Sequence, residues 1–202
     1  MTTWNEQYQA GEGLRFWPCE DLLRYLGGRW PDKKAEGRVL DIGSGTGNNT
    51  WALTEWGFKA WMLEPSMIAT GIAKSYLYER GFLSTTVANE SILENTLIAG
   101  DFDGAIDMQT IQHFTQEEHL TAYREVRRLL KPGGWFFLYH LGNGTVNYEG
   151  IFPVAPPAYL IDSAAIFLML KECGFEVQDM QSVTRTYNEG EAQYWCVVAE
   201  AV

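Results

Sequence analysis

The feature that most constrains this chain is the run Arg38-Val39-Leu40-Asp41-Ile42-Gly43-Ser44-Gly45-Thr46-Gly47-Asn48, where an apolar strand ends on an acid and breaks into glycines at every second position. Glycine turns with positive φ and lets a ligand approach the main chain. A strand that ends this way therefore reads as the wall of a ligand site; the plain alternative is a strand-to-helix turn. A second strand-like run, Lys59-Ala60-Trp61-Met62-Leu63-Glu64, closes on a carboxylate 21 residues after Gly43. In nucleotide-binding α/β folds an acid about 20 residues past the glycine loop accepts hydrogen bonds from ribose hydroxyls.

The spacing also separates cofactors. A dinucleotide loop needs a third glycine, in G-x-G-x-x-G, for close packing of helix on strand. Asn48 stands there instead. Asp41, two residues before the first glycine, would repel a pyrophosphate and attract a cation, which favours a positively charged adenosine cofactor.

With these residues in view, Val39 to Gly47 resembles the first motif of the class I S-adenosylmethionine-dependent methyltransferases. Glu64 is similar to that family's ribose-binding acid, Phe102-Asp103-Gly104-Ala105-Ile106-Asp107-Met108-Gln109 to its fourth strand, and Leu129-Leu130-Lys131-Pro132-Gly133-Gly134 to the turn before its fifth. The resemblance runs from about Arg38 to His140. It implies a Rossmann-like, doubly wound α/β sheet of seven strands, mostly parallel with the last antiparallel. It also implies S-adenosyl-L-methionine as cofactor and methyl transfer to an acceptor with release of S-adenosylhomocysteine. An NAD(P)-dependent oxidoreductase on a related sheet, or a non-catalytic cofactor-binding protein, are the alternative readings.

At 202 residues the chain is expected to form one domain, burying roughly 70% of its unfolded surface. Fifteen basic against twenty-six acidic residues give a net charge of −11, which opposes a phosphate backbone. The nucleic-acid amino-methylating branch would carry Asp/Asn-Pro-Pro-aromatic where Asp107-Met108-Gln109-Thr110 stands. Both points favour a small-molecule acceptor over nucleic acid. The start has no signal-peptide pattern and no apolar run is long enough for a bilayer, so a cytoplasmic protein without a membrane partner is expected. Cys19, Cys173 and Cys196 are odd in number and widely spaced, and suggest neither a disulfide framework nor a metal site.

Strand-like and helix-like runs alternate from Arg38 to about Leu130, the pattern of a parallel sheet covered on both faces. Ser66 caps a helix running to Arg80 and stopped by Gly81. Thr115-Gln116-Glu117-Glu118 opens another as a capping box. Ser163 to Cys173 reads as a helix stopped by Gly174, followed by two strands, Phe175 to Thr186 and Ala192 to Ala201, joined at Asn188-Glu189-Gly190 and hence antiparallel. Residues 1–37 form an aromatic arm, read as a cofactor-covering lid or as a segment pinned to the core. Leu141 to Asp162, with Tyr148, Phe152, Pro153, Pro156, Pro157 and Tyr159, is either a substrate-covering loop or a packed surface excursion.

The resemblance implies that Gly43, Ser44, Gly45 and Gly47 bring backbone to the methionine portion of the cofactor, and that Asp41 attracts its ammonium or orders the loop. Glu64, with Pro65, would hold the ribose. Asn89 would take the position facing the adenine amino group, with Glu90 as its substitute, and Gln109 would line the site from the fourth strand. Tyr8, four residues after Trp4 on one face of a short helix, would cover the sulfonium by cation–π attraction, and Arg15 would neutralise the cofactor carboxylate. For a base that removes the acceptor's proton, His140 and His113 follow the carboxyl ends of the fifth and fourth strands, where ligands bind in open α/β sheets. His140 is expected to face substrate. His113 acts there or bonds a neighbouring carbonyl, and His119 is expected to be a solvated helix residue.

Overall fold

The computed structural model describes residues 3–82, 85–145, 151–152, 156–187 and 190–202. Tyr148 and Pro153 of the expected covering loop, and Asn188 and Glu189 of the hairpin, lie outside these residues. A short helix α1 (Trp4–Gln9) and helix α2 (Glu20–Arg29) precede β1 (Arg38–Ile42), α3 (Asn48–Glu55), β2 (Lys59–Leu63), α4 (Met67–Tyr78) and β3 (Thr86–Ala88). Next come β4 (Phe102–Met108), a 3-10 turn (Ile111–His113), α5 (Gln116–Leu129) and β5 (Leu130–Leu141). The chain ends with the two-residue strands β6 (Ile151–Phe152) and β7 (Ala158–Tyr159), then α6 (Ser163–Glu172), β8 (Phe175–Tyr187) and β9 (Gly190–Ala201).

Seven strands form one sheet in the order β3-β2-β1-β4-β5-β9-β8, with β6 and β7 as a separate antiparallel pair. Strands β1 to β5 are parallel, and β9 runs antiparallel to both neighbours, so it alone is reversed. This is the seven-stranded, doubly wound α/β sheet that the sequence led us to expect. The chain steps outward from β1 through β2 to β3 and returns to the other side of β1 as β4. The strand order therefore switches between β1 and β4, and a crevice opens at their carboxyl ends.

Local sequence explains the helices. Ser66 Oγ accepts from Ala69 N–H at 3.2 Å and starts α4. Thr115 and Glu118 close both halves of a capping box at the start of α5, and Asp162 caps α6 through Ala165 N–H. Along β5 alternate residues serve different cores: Phe136 and Leu138 meet α5 and α6, while Trp135, Phe137 and Tyr139 meet α2 and α3. Phe136 and Phe137 are both fully buried, each worth about 1.5–3 kcal/mol of transfer free energy. Leu130 already pairs with Phe102, so β5 begins before the Lys131–Gly134 turn that was expected to precede it; that turn loops out until Trp135 rejoins β4 at Gly104.

Candidate functional site

At the switch point lies a cavity of about 620 Å³. Gly43 leaves β1 with φ of +61° and donates its N–H to Leu63 O at 2.7 Å, so the glycine loop is tied to the end of β2. Gly43, Ser44 and Gly45 line the cavity, and Ser44 Oγ is buried without a partner among the described residues. Gly47 does not line it: at φ of +81° it caps α3, and a Cβ there would sit 3.1 Å from Ala73 Cβ. Asp41 also turns away. Its carboxylate is buried under α3 and accepts from Thr50 Oγ1 at 2.6 Å, so it orders the loop and contacts no ligand space.

Glu64 reaches the cavity wall, 5% exposed. One carboxylate oxygen accepts from Gly45 N–H at 3.0 Å and the other from Ser66 N–H at 2.8 Å. Burial raises its pKa, and those two N–H groups oppose the rise. Each oxygen keeps a second lone pair, so the carboxylate still has room for two further donors. Pro65 lines the cavity beside it. Asn89 faces elsewhere, because its amide donates to Glu64 O and Thr70 Oγ1 and so fixes the end of β2 against α4. Glu90 lines the cavity, but its carboxylate is held by Thr96 N–H and Oγ1, which pull its pKa down.

The end of β4 is built around Asp107, which sequence reasoning did not single out. Its fully buried carboxylate accepts from Thr110 N–H at 2.8 Å and Ile111 N–H at 3.2 Å, and thereby folds the turn that carries Gln109, Gln112 and His113 into the cavity wall. The available signal was an Asp-x-x-Thr spacing straight after an apolar strand, a turn-capping pattern. Burial pushes the Asp107 pKa up to about 7, whereas the unfolded chain titrates near 4. Between those values the unfolded state has released a proton that the folded state keeps, so this group lowers stability as pH rises from about 4 to about 7. Asp107→Asn, which retains an acceptor oxygen, is expected to gain on the wild type in thermal midpoint between pH 5 and pH 8; a constant difference across that range would contradict the assignment.

Gln109 is held at φ of +73°, uncommon for a residue with a side chain. Its N–H donates to Tyr139 O at 3.0 Å, and its Oε1 accepts from the Arg15 guanidinium at 3.0 Å. The arm is thereby tied across the cavity mouth. Arg15 N–H also donates to Thr46 Oγ1, which returns a bond to Arg15 O. Tyr8 stacks with Trp4 at 6.0 Å, lines the cavity and has its phenol pushed up to about 12 by burial and by Glu64.

His113 lines the cavity. Its Nδ1 lies 3.1 Å from both Pro156 O and Pro157 O, and carbonyls only accept, so Nδ1 carries the proton and Nε2 the lone pair. Burial lowers its pKa, which keeps the ring neutral at pH 7. Trp4 packs edge-on against it, with ring centroids 5.0 Å apart.

His140 contradicts its expectation. It is 0% exposed, absent from the cavity wall, donates Nδ1–H to Leu141 O at 2.9 Å, and is pushed down to about 3 by burial. Side chains alternate along a strand, so Tyr139 and Leu141 face the cavity while His140 points under α5. There it meets His119, whose ring is 1% exposed with centroids 5.2 Å away; His119 is a core residue and not the solvated one expected.

The far end of the cavity uses residues the sequence did not reveal. Tyr139 and Tyr194 stack at 4.8 Å and 17°. Arg185 of β8 donates to Tyr139 Oη at 3.2 Å and pairs with Asp21 at the start of α2 at 2.6 Å. Tyr187 and Tyr194 share a hydroxyl bond of 3.2 Å. Among the described residues there is no cluster of three or more His, Cys, Asp or Glu fit to hold a metal, and no helix is long and apolar enough to cross a membrane.

Residues 39–134 match a family described as a methyltransferase domain. The chain is similar to the ubiquinone biosynthesis O-methyltransferase of Thiobacillus denitrificans, 28% identical over 77% of this chain and 73% of that protein. Among solved structures, an S-adenosylmethionine-dependent methyltransferase from Methanosarcina mazei superposes with a TM-score of 0.74 at 18% identity, covering 83% of this chain and 93% of the other. The 1,6-didemethyltoxoflavin-N1-methyltransferase of Burkholderia thailandensis, solved with 1,6-didemethyltoxoflavin and S-adenosylhomocysteine, gives 0.70 at 18% identity over 90% and 78%. At that identity the two structures speak for the fold.

Proposed function

We propose that this chain, whose residues 39–134 match a methyltransferase domain, works as a class I S-adenosylmethionine-dependent methyltransferase, transferring a methyl group from S-adenosylmethionine to an oxygen of a small-molecule acceptor and releasing S-adenosylhomocysteine. The observation that carries this reading is the buried Glu64 carboxylate, held by Gly45 and Ser66 N–H in the same wall as the glycine turn. The residues fit the cofactor: Glu64 keeps two lone-pair positions for ribose hydroxyls, Ser44 Oγ is a buried polar atom with no partner among the described residues, and Gly43 and Gly45, at positive φ, bring bare backbone to the cavity wall. Arg15 is placed for the carboxylate, and Tyr8 and Trp4 for covering the charge. When bound, this cofactor supplies an electrophilic methyl group and accepts the electron pair of the broken carbon–sulfur bond.

The protein's own work is alignment, exclusion of water and removal of a proton. Positioning two reactants can supply about 7–11 kcal/mol of a barrier. The arm, tied down through Arg15 to Gln109 and Thr46, covers the cofactor end; Leu141 and Ala158 line the acceptor end. His113 Nε2 accepts the acceptor's proton, and its Nδ1–H, pinned by two carbonyls, steadies the cation that results. The oxygen acceptor is supported by the name of the Thiobacillus relative. The acceptor end itself is assembled from Tyr139, Arg185 and Tyr194, outside the matched segment 39–134. Parallel calorimetric titrations test the reading: S-adenosylmethionine and S-adenosylhomocysteine are expected to bind at micromolar concentration and NADH not at all. Silence towards both adenosyl ligands would overturn it.

A further inference from the structure

Gln112 is a second group beside the proton acceptor, and its hydrogen bonding is half committed. The side chain is buried and lines the cavity. Its Oε1 accepts from Leu141 N–H at 3.0 Å, which fixes which way the amide points. The Nε2 end, with two N–H donors, has no partner among the described residues, and the residue lines the cavity. The neighbouring His113 shows the opposite character, an open Nε2 lone pair. One donor and one acceptor thus line the same cavity from a single turn, both oriented by backbone groups, and the turn itself is held by Asp107.

We propose that Gln112 is the specificity-determining residue of the acceptor site and selects a hydroxyl oxygen over an amine nitrogen, on an acceptor whose flat ring is received by the aromatic walls. This rests on the methyl-transfer reading above. A hydroxyl oxygen has two lone pairs and one proton. One lone pair accepts from Gln112 Nε2–H, the proton is given to His113 Nε2, and the second lone pair is left to form the new oxygen–carbon bond. As that bond forms, the oxygen–hydrogen bonding pair stays on oxygen and the proton moves to His113, so the methylated product is neutral and His113 carries the charge. A neutral amine has a single lone pair. If Gln112 takes it, nothing remains to attack; if it attacks, a buried amide donor is left unpaired, the kind of loss that strengthens discrimination in polar sites.

The test uses protein saturated with S-adenosylhomocysteine, so that failure of the cofactor reading shows itself first as absence of that binding. Two matched probes, 1,2-dihydroxybenzene and 1,2-diaminobenzene, are then titrated. No lone pair is called on to attack in this complex, so the probes differ there in what they offer Gln112: a phenolic oxygen accepts through an in-plane lone pair, whereas the single lone pair of an aniline nitrogen is delocalised into the ring and accepts poorly, and the wild type is expected to bind the diol about tenfold more tightly, the size of one or two neutral hydrogen bonds. Gln112→Glu keeps an acceptor oxygen for Leu141 N–H but replaces the donor with a second acceptor; it is expected to lose the preference or reverse it while its S-adenosylhomocysteine affinity stays within about twofold. Gln112→Met, which has neither group, separates loss of the donor from added charge and is expected to bind both probes alike. Saturated wild type that binds the two probes equally, prefers the diamine or ignores the diol overturns the proposal, as does a Gln112→Glu variant that keeps the wild-type ratio.

Discussion

Replacing Gly43 by alanine is expected to abolish cofactor binding and to lower the thermal midpoint by about 10 °C. The backbone there has φ of +61°, and a Cβ would lie 2.1 Å from Thr110 Oγ1 and 2.7 Å from Thr110 Cβ. Left-handed backbone costs a residue with a side chain about 1–2 kcal/mol, and overpacking adds about 1–3 kcal/mol. At roughly 2–4 °C per kcal/mol for a chain this long, the fall in midpoint follows. The damage spreads, because Thr110 Oγ1 donates to Ile42 O at 3.0 Å and its N–H is bound by Asp107. Pushing Thr110 aside therefore disturbs the glycine loop and the turn bearing His113 together. Thr110→Gly in the same background removes the collision and leaves the backbone strain and the lost Thr110–Ile42 bond, so the double variant is expected to be less damaged than the two single losses added together. A Gly43→Ala protein that keeps its midpoint and still titrates with S-adenosylhomocysteine would refute the close packing described between these two turns.

Glu64→Ala is expected to weaken S-adenosylhomocysteine binding by about 100-fold or more, near 2.7 kcal/mol. Two effects add. The proposed acceptor for the ribose is removed, and the Gly45 and Ser66 N–H groups, now buried without their carboxylate, cost about 1–3 kcal/mol each in stability or in loop order. Glu64→Gln keeps one oxygen and should fall between the wild type and the alanine variant. His140→Ala is the informative contrast. Its ring is in the core beneath α5, so the substitution is expected to cost about 2 kcal/mol of stability and to leave the affinity within about twofold. Equal losses of affinity for Glu64→Ala and His140→Ala, measured by calorimetry on folded samples, would mean that neither residue has the place assigned to it.

What could be read from the chain was whatever is encoded over short distances. The strand-glycine-helix turn, Glu64 at the end of the next strand, the caps at Ser66 and Thr115 and the reversed last strand all follow from neighbouring residues, because φ preference, capping and period-2 patterning act within a few positions. Facing is different. His140 and Tyr139 are adjacent, and which of them meets the cavity depends on the register of β5 between β4 and β9, fixed by pairs such as Asp107 with Leu138 and His140 with Trp195. The same limit hid His119, since a polar residue on an amphipathic helix is buried only if a partner such as His140 waits across the interface. Asp41 and Asn89 matched the expected positions, yet their side chains are engaged by Thr50 and by Thr70 and Glu64 O.

The part of the cavity wall formed by Tyr139, Arg185 and Tyr194 was the least legible. Arg185 meets Asp21 across 164 residues of chain, and Tyr139, Tyr187 and Tyr194 come together only because β9 folds back between β5 and β8. The sequence by itself determined the α/β class, the glycine loop with Glu64 beside it and the local starts and stops of helices, because each is governed by the chemistry of a few consecutive residues. The tertiary structure alone decided which polar groups are spent on the fold and which remain open to a ligand. A side chain's free donors and acceptors are counted only after its partners, however distant in sequence, have been brought against it.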